Sequence, residues 1–131
     1  MKIQESAENY LETILRLGER LPHVRSIDIV NELEFSKPSV SVAMKNLRQN
    51  GYIRMDSDGY ITLTDTGMEI ASKIYERHQI LSCILIQLGV DPDTAAKDAC
   101  RMEHVISENS FQAIKNHIRT AGSAQKHIPG W

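Results

Sequence analysis

At 131 residues, with 41% apolar and 24% charged residues, the chain suits one ordinary globular domain or two small modules sharing a core. A net charge of −2 gives no global attraction to nucleic acid, and no apolar run approaches the ~20 residues of a membrane helix. Two cysteines exclude a disulfide framework, and Met1-Lys2-Ile3-Gln4-Glu5 lacks the basic-then-apolar plan of a secretory signal, so a cytoplasmic location is expected.

The first predicted helix runs from Ser6, a candidate N-cap, to Leu17, with Gly18 past its end. Ala7, Tyr10, Leu11, Ile14 and Leu15 form its apolar stripe, flanked on the polar side by Asn9 and Glu12. After a loop containing Pro22, Ser26 caps a short helix expected to bury Ile27, Val30 and Leu33. Glu34-Phe35 is a turn, and Ser36 caps the next helix, where Pro38 is tolerated because a first-turn N–H has no helical partner to lose. Val40, Ala43, Met44 and Leu47 face inward. Lys37, Ser41, Lys45 and Arg48 form an outer stripe that ends at Asn50-Gly51. Two short strands follow, Tyr52 to Met55 and Tyr60 to Leu63, joined by Asp56-Ser57-Asp58-Gly59, a strong hairpin signal.

Helix, turn, polar-faced helix and hairpin is the order of a winged helix-turn-helix. Four basic residues (Lys37, Lys45, Arg48, Arg54) and no acidic one lie between Phe35 and Met55, a local positive patch on an acidic chain. The helix starting at Ser36 is therefore expected to enter the major groove of double-stranded DNA. Ser36, Lys37, Pro38, Ser39 and Ser41 lie near its start, and Lys45 and Arg48 suit neutralisation of backbone phosphates. The blander alternative is a solvated helix with lysines.

Thr64 or Asp65 caps a long helix in which Ile70, Ala71, Ile74, Tyr75, His78, Leu81, Ile84, Leu85 and Leu88 keep helical spacing as far as Gly89. It reads as a connector into a second, all-helical half. Asp91 and Pro92 open a helix reaching Ile106, and Ser107 caps a last one with Phe111, Ile114 and Ile118 inside. Periodicity ends at Arg119. The fold class is thus mainly α with a small β-hairpin wing, divided as residues 1–66 (DNA binding), 67–120 (helical) and 121–131 (tail).

Cys83, inside an apolar run, reads as a core residue. Cys100 differs. At ~100° per residue, Cys100, Glu103 and His104 share an arc of roughly 100° on one helix face, offering a thiolate, a carboxylate and an imidazole. Asn9 with Glu12 on the first helix, and His78 on the long one, carry further donor types. Taken singly, His78 also fits a hydrogen-bonded core histidine, Glu12 a surface carboxylate and Asn9 a helix-start residue. Taken together, they suggest helices closing on a divalent metal. No nucleophile elbow, Gly-rich phosphate loop or His-Glu-x-x-His motif supports catalysis.

Ala7-Glu8-Asn9-Tyr10-Leu11-Glu12-Thr13-Ile14, Leu33-Glu34-Phe35-Ser36-Lys37-Pro38-Ser39-Val40, Leu63-Thr64-Asp65-Thr66-Gly67, Arg77-His78 and Ala99-Cys100-Arg101-Met102-Glu103-His104-Val105-Ile106-Ser107 resemble the diphtheria toxin repressor family, over residues 5 to 118. The family comprises metal-activated repressors with an iron branch and a manganese branch. The resemblance implies a homodimer on a palindromic operator, with a primary metal site of Asn9, Cys100, Glu103 and His104. Cys100 is similar to the iron branch. Asn9 departs from both branches, which place Met or Asp there. Glu12 and His78 resemble the manganese branch's neighbouring site, which shares the carboxylate corresponding to Glu103. An iron-type ancillary site would fall on His78, Ser82 and Ala96 and is expected to be absent, as is an SH3-like domain.

The expected function is a repressor of metal homeostasis genes, activated by Fe(II) first and Mn(II) next, since a thiolate favours Fe(II). Metal would tether the first helix to the helix carrying Cys100 and fix two reading heads ~34 Å apart on the duplex. Binding needs a deprotonated Cys and a neutral His, so activation should weaken at low pH. A metal-independent winged-helix regulator sensing oxidation at Cys100, and a small metal-dependent enzyme, are the competing classes.

Overall fold

The structure, a computed structural model, describes residues 5–122. Its elements are α1 (Glu5–Arg20), α2 (Ser26–Leu33), α3 (Lys37–Gln49), β1 (Ile53–Met55), β2 (Ile61–Leu63), α4 (Asp65–Gln87), α5 (Pro92–Met102) and α6 (Glu108–Gly122). They form two compact units, one ending at Lys73 and the other beginning at Ile74, with α4 contributing to both.

In the first unit, α1 is longer than its caps suggested. Ser6 lies within the helix, and Gly18 lies inside it with open space around its Cα. Leu11, Ile14 and Leu17 join Ile29, Val40, Met44, Leu47, Ile53, Ile61 and Ala71 in one apolar core. Burying such side chains contributes ~1.5–3 kcal/mol each. The expected inner face of α2 is corrected: Ile29 is buried, Ile27 is exposed, and Val30 and Leu33 are only partly covered. Ser26 is not its cap either. The helix is closed at its start by Asp28, whose carboxylate accepts the Arg25 N–H at 2.9 Å, and ends at Glu34 in the left-handed region (φ 57°).

Ser36 caps α3 as its sequence indicates, its Oγ accepting from the Ser39 N–H at 3.3 Å. Gly51, at φ 78°, then turns the chain into the hairpin. The antiparallel strands pair Ile53 with Leu63, Arg54 with Thr62 and Met55 with Ile61, each strand starting one residue later than expected. Asp56 closes the tip by accepting from the N–H groups of Asp58 and Tyr60, both at 2.9 Å. Just past the tip Tyr60 stacks on His23, ring centroids 4.1 Å apart, and its hydroxyl accepts from Arg25 at 3.1 Å. Thr64 ties wing to helix. Its hydroxyl donates to the Gly51 carbonyl at 2.6 Å and accepts the Gly67 N–H at 3.2 Å.

In the second unit, Asp91 caps α5 by accepting from the Thr94 N–H at 3.0 Å, and Ser107 caps α6 by accepting from Ser110 at 3.1 Å. Ile80, Phe111 and Ile118 form the core, with Ile84, Ile106 and Ile114 against it. Cys83 is wholly buried, and burial pushes its thiol pKa up. Three expectations are corrected. Leu88 is 75% exposed, because α4 ends at Gln87 and the chain turns at Gly89. The helix expected to reach Ile106 stops at Met102. Finally, α6 continues to Gly122, past the loss of periodicity at Arg119; the tail from residue 123 lies outside the described residues.

Candidate metal centre and DNA-binding face

Two metal candidates of the second unit, His78 and His104, meet at Glu103, which has no exposed surface. It follows the last turn of α5, its N–H bonded to the Ala99 carbonyl at 2.9 Å. Oε2 lies 3.0 Å from His78 Nδ1, and Oε1 lies 3.3 Å from His104 Nε2. Each oxygen of one buried carboxylate therefore faces an imidazole nitrogen. An ionised carboxylate is costly to bury unless it is hydrogen-bonded or bound to a cation. Carboxylate and imidazole together make the oxygen–nitrogen donor set that first-row divalent metals accept. Donor atoms on neighbouring corners of an octahedron of ~2.1 Å bonds lie ~3 Å apart, close to each carboxylate–imidazole separation, so each pair is spaced as such an ion requires.

What holds Glu103 there is Arg77, which the sequence reading quoted beside His78 without giving it a role. Its guanidinium is buried, donating to the carbonyls of Glu103 and Ile106 at 3.1 and 3.0 Å and to the Glu108 carboxylate at 2.9 Å. Those bonds satisfy carbonyls at the helix end, where intrahelical donors run out, and bind residues 103–108 to α4. The signal available in the sequence was a single arginine preceding His78 on a largely apolar helix.

Cys100 stands apart in character. It is exposed on the last full turn of α5, whereas Glu103 is enclosed. In the first unit, Asn9 and Glu12 both lie on α1. Asn9 is partly buried, its carbonyl accepting from the Thr13 hydroxyl at 2.8 Å. Glu12, expected on the polar flank, is 2% exposed, with Arg16 3.9 Å from its carboxylate.

On α3, Ser36, Lys37, Pro38, Ser39, Ser41, Lys45 and Arg48 are all exposed. The Ser36 hydroxyl is already engaged, donating to Ser39 Oγ at 2.8 Å while its oxygen caps the helix. With ~100° per residue, the positions opposite the buried Val40, Met44 and Leu47 are Pro38, Val42, Lys45 and Gln49, within an arc of about 60°. The expected stripe of Lys37, Ser41, Lys45 and Arg48 forms one side of this face. Val42, at the edge of this arc away from the stripe, was missed because an isolated valine in a helix reads as core.

Residues 2–61 match the family model described as "Iron dependent repressor, N-terminal DNA binding domain". Residues 64–126 match "Iron dependent repressor, metal binding and dimerisation domain". The chain is 35% identical over 120 residues to the transcriptional regulator MntR of Escherichia coli O6:H1, covering 92% of this chain and 77% of that protein. It is 32% identical over 114 residues to the HTH-type transcriptional regulator MntR of Listeria monocytogenes serotype 4a, covering 87% and 80%. Among solved structures, a manganese-dependent transcriptional repressor in complex with manganese superposes with a TM-score of 0.80 at 25% identity, over 86% of this chain. The chain spans about half the length of that structure, 52%.

Proposed function

This chain belongs to the diphtheria toxin repressor family of metal-dependent transcriptional repressors, and we propose that Mn(II) or Fe(II) is the ion that turns it on. It is a DNA-binding regulator with a dimerisation domain, not an enzyme. The observation that carries the proposal is the enclosed Glu103 carboxylate between His78 and His104. The reading assigns those three residues as donors, with Cys100 beside them and Asn9 and Glu12 as the donors of α1. When bound, the ion would supply positive charge to this buried carboxylate and accept the lone pairs of its imidazoles. Arg77 holds the ligand-bearing turn, and Glu103 presents one oxygen to each histidine.

The regulated genes, in this reading, control metal homeostasis in the cytoplasm, through a palindromic operator gripped by a homodimer. Residues 1–66 bind DNA, and residues 67–120 hold metal and dimerise. Choice of metal turns on Cys100. A thiolate in the site favours Fe(II), whereas imidazole and carboxylate without sulfur suit Mn(II). Exposure of Cys100 and the manganese regulators among its relatives support Mn(II).

The test is duplex binding titrated with Mn(II) and, anaerobically, with Fe(II), each with and without chelator, for the native chain and Cys100→Ser. Metal-dependent binding that survives Cys100→Ser supports the oxygen–nitrogen site. Binding indifferent to both metals and chelator, but locked in one state by Cys100→Ser, would replace this reading with a thiol sensor.

A further inference from the structure

Val42 is 59% exposed in the middle of α3. A scattered exposed apolar side chain needs no explanation in itself; its position makes this one informative. The inner face of α3 is already filled by Val40, Met44 and Leu47. Val42 projects from the opposite side, one turn after Pro38 and just before Lys45, in the N-terminal half of the helix. In helix-turn-helix proteins that half meets base edges. Lys45 lies about 60° from it around the helix axis, with Arg48 and Lys37 further round on the same side, and all three are exposed, so that phosphate contacts along one flank can set the register while Val42 faces the groove floor.

The chemistry of the side chain narrows what it can recognise there. Valine has neither donor nor acceptor, and its β-branch leaves it one dominant rotamer in a helix. Among base edges in the major groove, only thymine offers an apolar group, its C5 methyl. Against the amino, carbonyl and N7 groups of other bases, Val42 would cover polar atoms without bonding them.

We infer that Val42 determines operator specificity by packing on a thymine methyl in each half-site. The inference rests on the reading of α3 as the helix in the major groove. A buried methyl-sized group is worth about fourfold in affinity, and two half-sites together about fifteenfold.

The experiment recovers duplexes from a randomised library with the native chain and Mn(II). Each thymine of the selected duplex is then replaced in turn by deoxyuridine, which lacks only the methyl. Binding is measured for the native chain, Val42→Ala and Lys45→Ala. The expected result is one thymine per half-site at which deoxyuridine weakens native binding about fourfold. Val42→Ala should weaken binding to the thymine duplex and abolish the difference at that position alone. Lys45→Ala should weaken all duplexes alike while keeping the deoxyuridine difference. If Lys45→Ala weakens binding but no thymine matters, or the deoxyuridine penalty persists in Val42→Ala, α3 keeps its place and the role of Val42 is overturned. If neither variant changes binding, or no duplex is recovered, the placement of α3 falls with it.

Discussion

Glu103→Gln separates a metal-holding carboxylate from one that merely supports the fold. The substitution keeps size and shape, and it leaves the backbone bonds of residue 103 to Arg77 and Ala99 in place. It removes the charge facing His78 and His104. In the metal-free protein two effects oppose each other. Charge-assisted hydrogen bonds of ~1.5–3 kcal/mol become neutral ones of ~0.5–1.5 kcal/mol, while the penalty of enclosing an ionised group disappears. Metal-free stability should therefore move by only a few degrees.

The metal-loaded protein behaves differently. Ion at ~100 times its Kd stabilises the native chain by ~2.7 kcal/mol. For 131 residues at ~2.1 cal/mol/K each, the unfolding entropy is about 0.28 kcal/mol/K, so Tm should rise about 10 °C. A hundredfold weaker site in Glu103→Gln, at the same Mn(II) concentration, leaves ~0.4 kcal/mol or about 1.5 °C. Scanning calorimetry with Mn(II) and with chelator reads both numbers. A variant that keeps the full 10 °C shift would refute the assignment of Glu103 as a ligand. One that unfolds without metal would show a structural role instead.

Two glycines make a matched pair for the first unit. A Cβ on Gly67 would lie 2.0 Å from the Tyr52 carbonyl oxygen, which is backbone and cannot swing aside; Gly67→Ala should cost at least ~1–3 kcal/mol, lowering Tm by about 4–11 °C. A Cβ on Gly18 meets nothing within 4 Å inside α1, so Gly18→Ala should gain ~0.5–1 kcal/mol, and equal melting of the two variants would contradict this account. The Thr94 N–H holds the Asp91 carboxyl below its ordinary pKa. Its contribution to stability is thus present above the unfolded value of ~3.9 and lost as pH falls through the folded one. Native chain and Asp91→Ala should differ in urea denaturation at neutral pH and converge as the solution is acidified below about pH 4; a gap that widens in acid would contradict the cap.

Much of this molecule was legible in short stretches of sequence. Ser36 with Pro38, Asp56 to Gly59, Asp91 with Pro92, and Ser107 each carry their own local chemistry of caps and turns, and the helices and hairpin begin close to where those residues place them. Periodicity likewise separated inner from outer on α3, whose 13 residues cover several turns. On α2, with eight residues, two turns were too few to set the phase, and the reading chose Ile27 where packing buried Ile29. Decisions involving distant partners could not be read from spacing; for His78 and Glu103 only the family resemblance pointed to them. Helix α5 stops at Met102 where Arg77, 26 positions before Glu103, takes up the carbonyls that follow. His78 meets a carboxylate 25 positions away. Spacing along a helix gives only the angle of a side chain about its own axis. The distance from one axis to another is set by which side chains fill the space between them, and that packing alone enclosed Glu103.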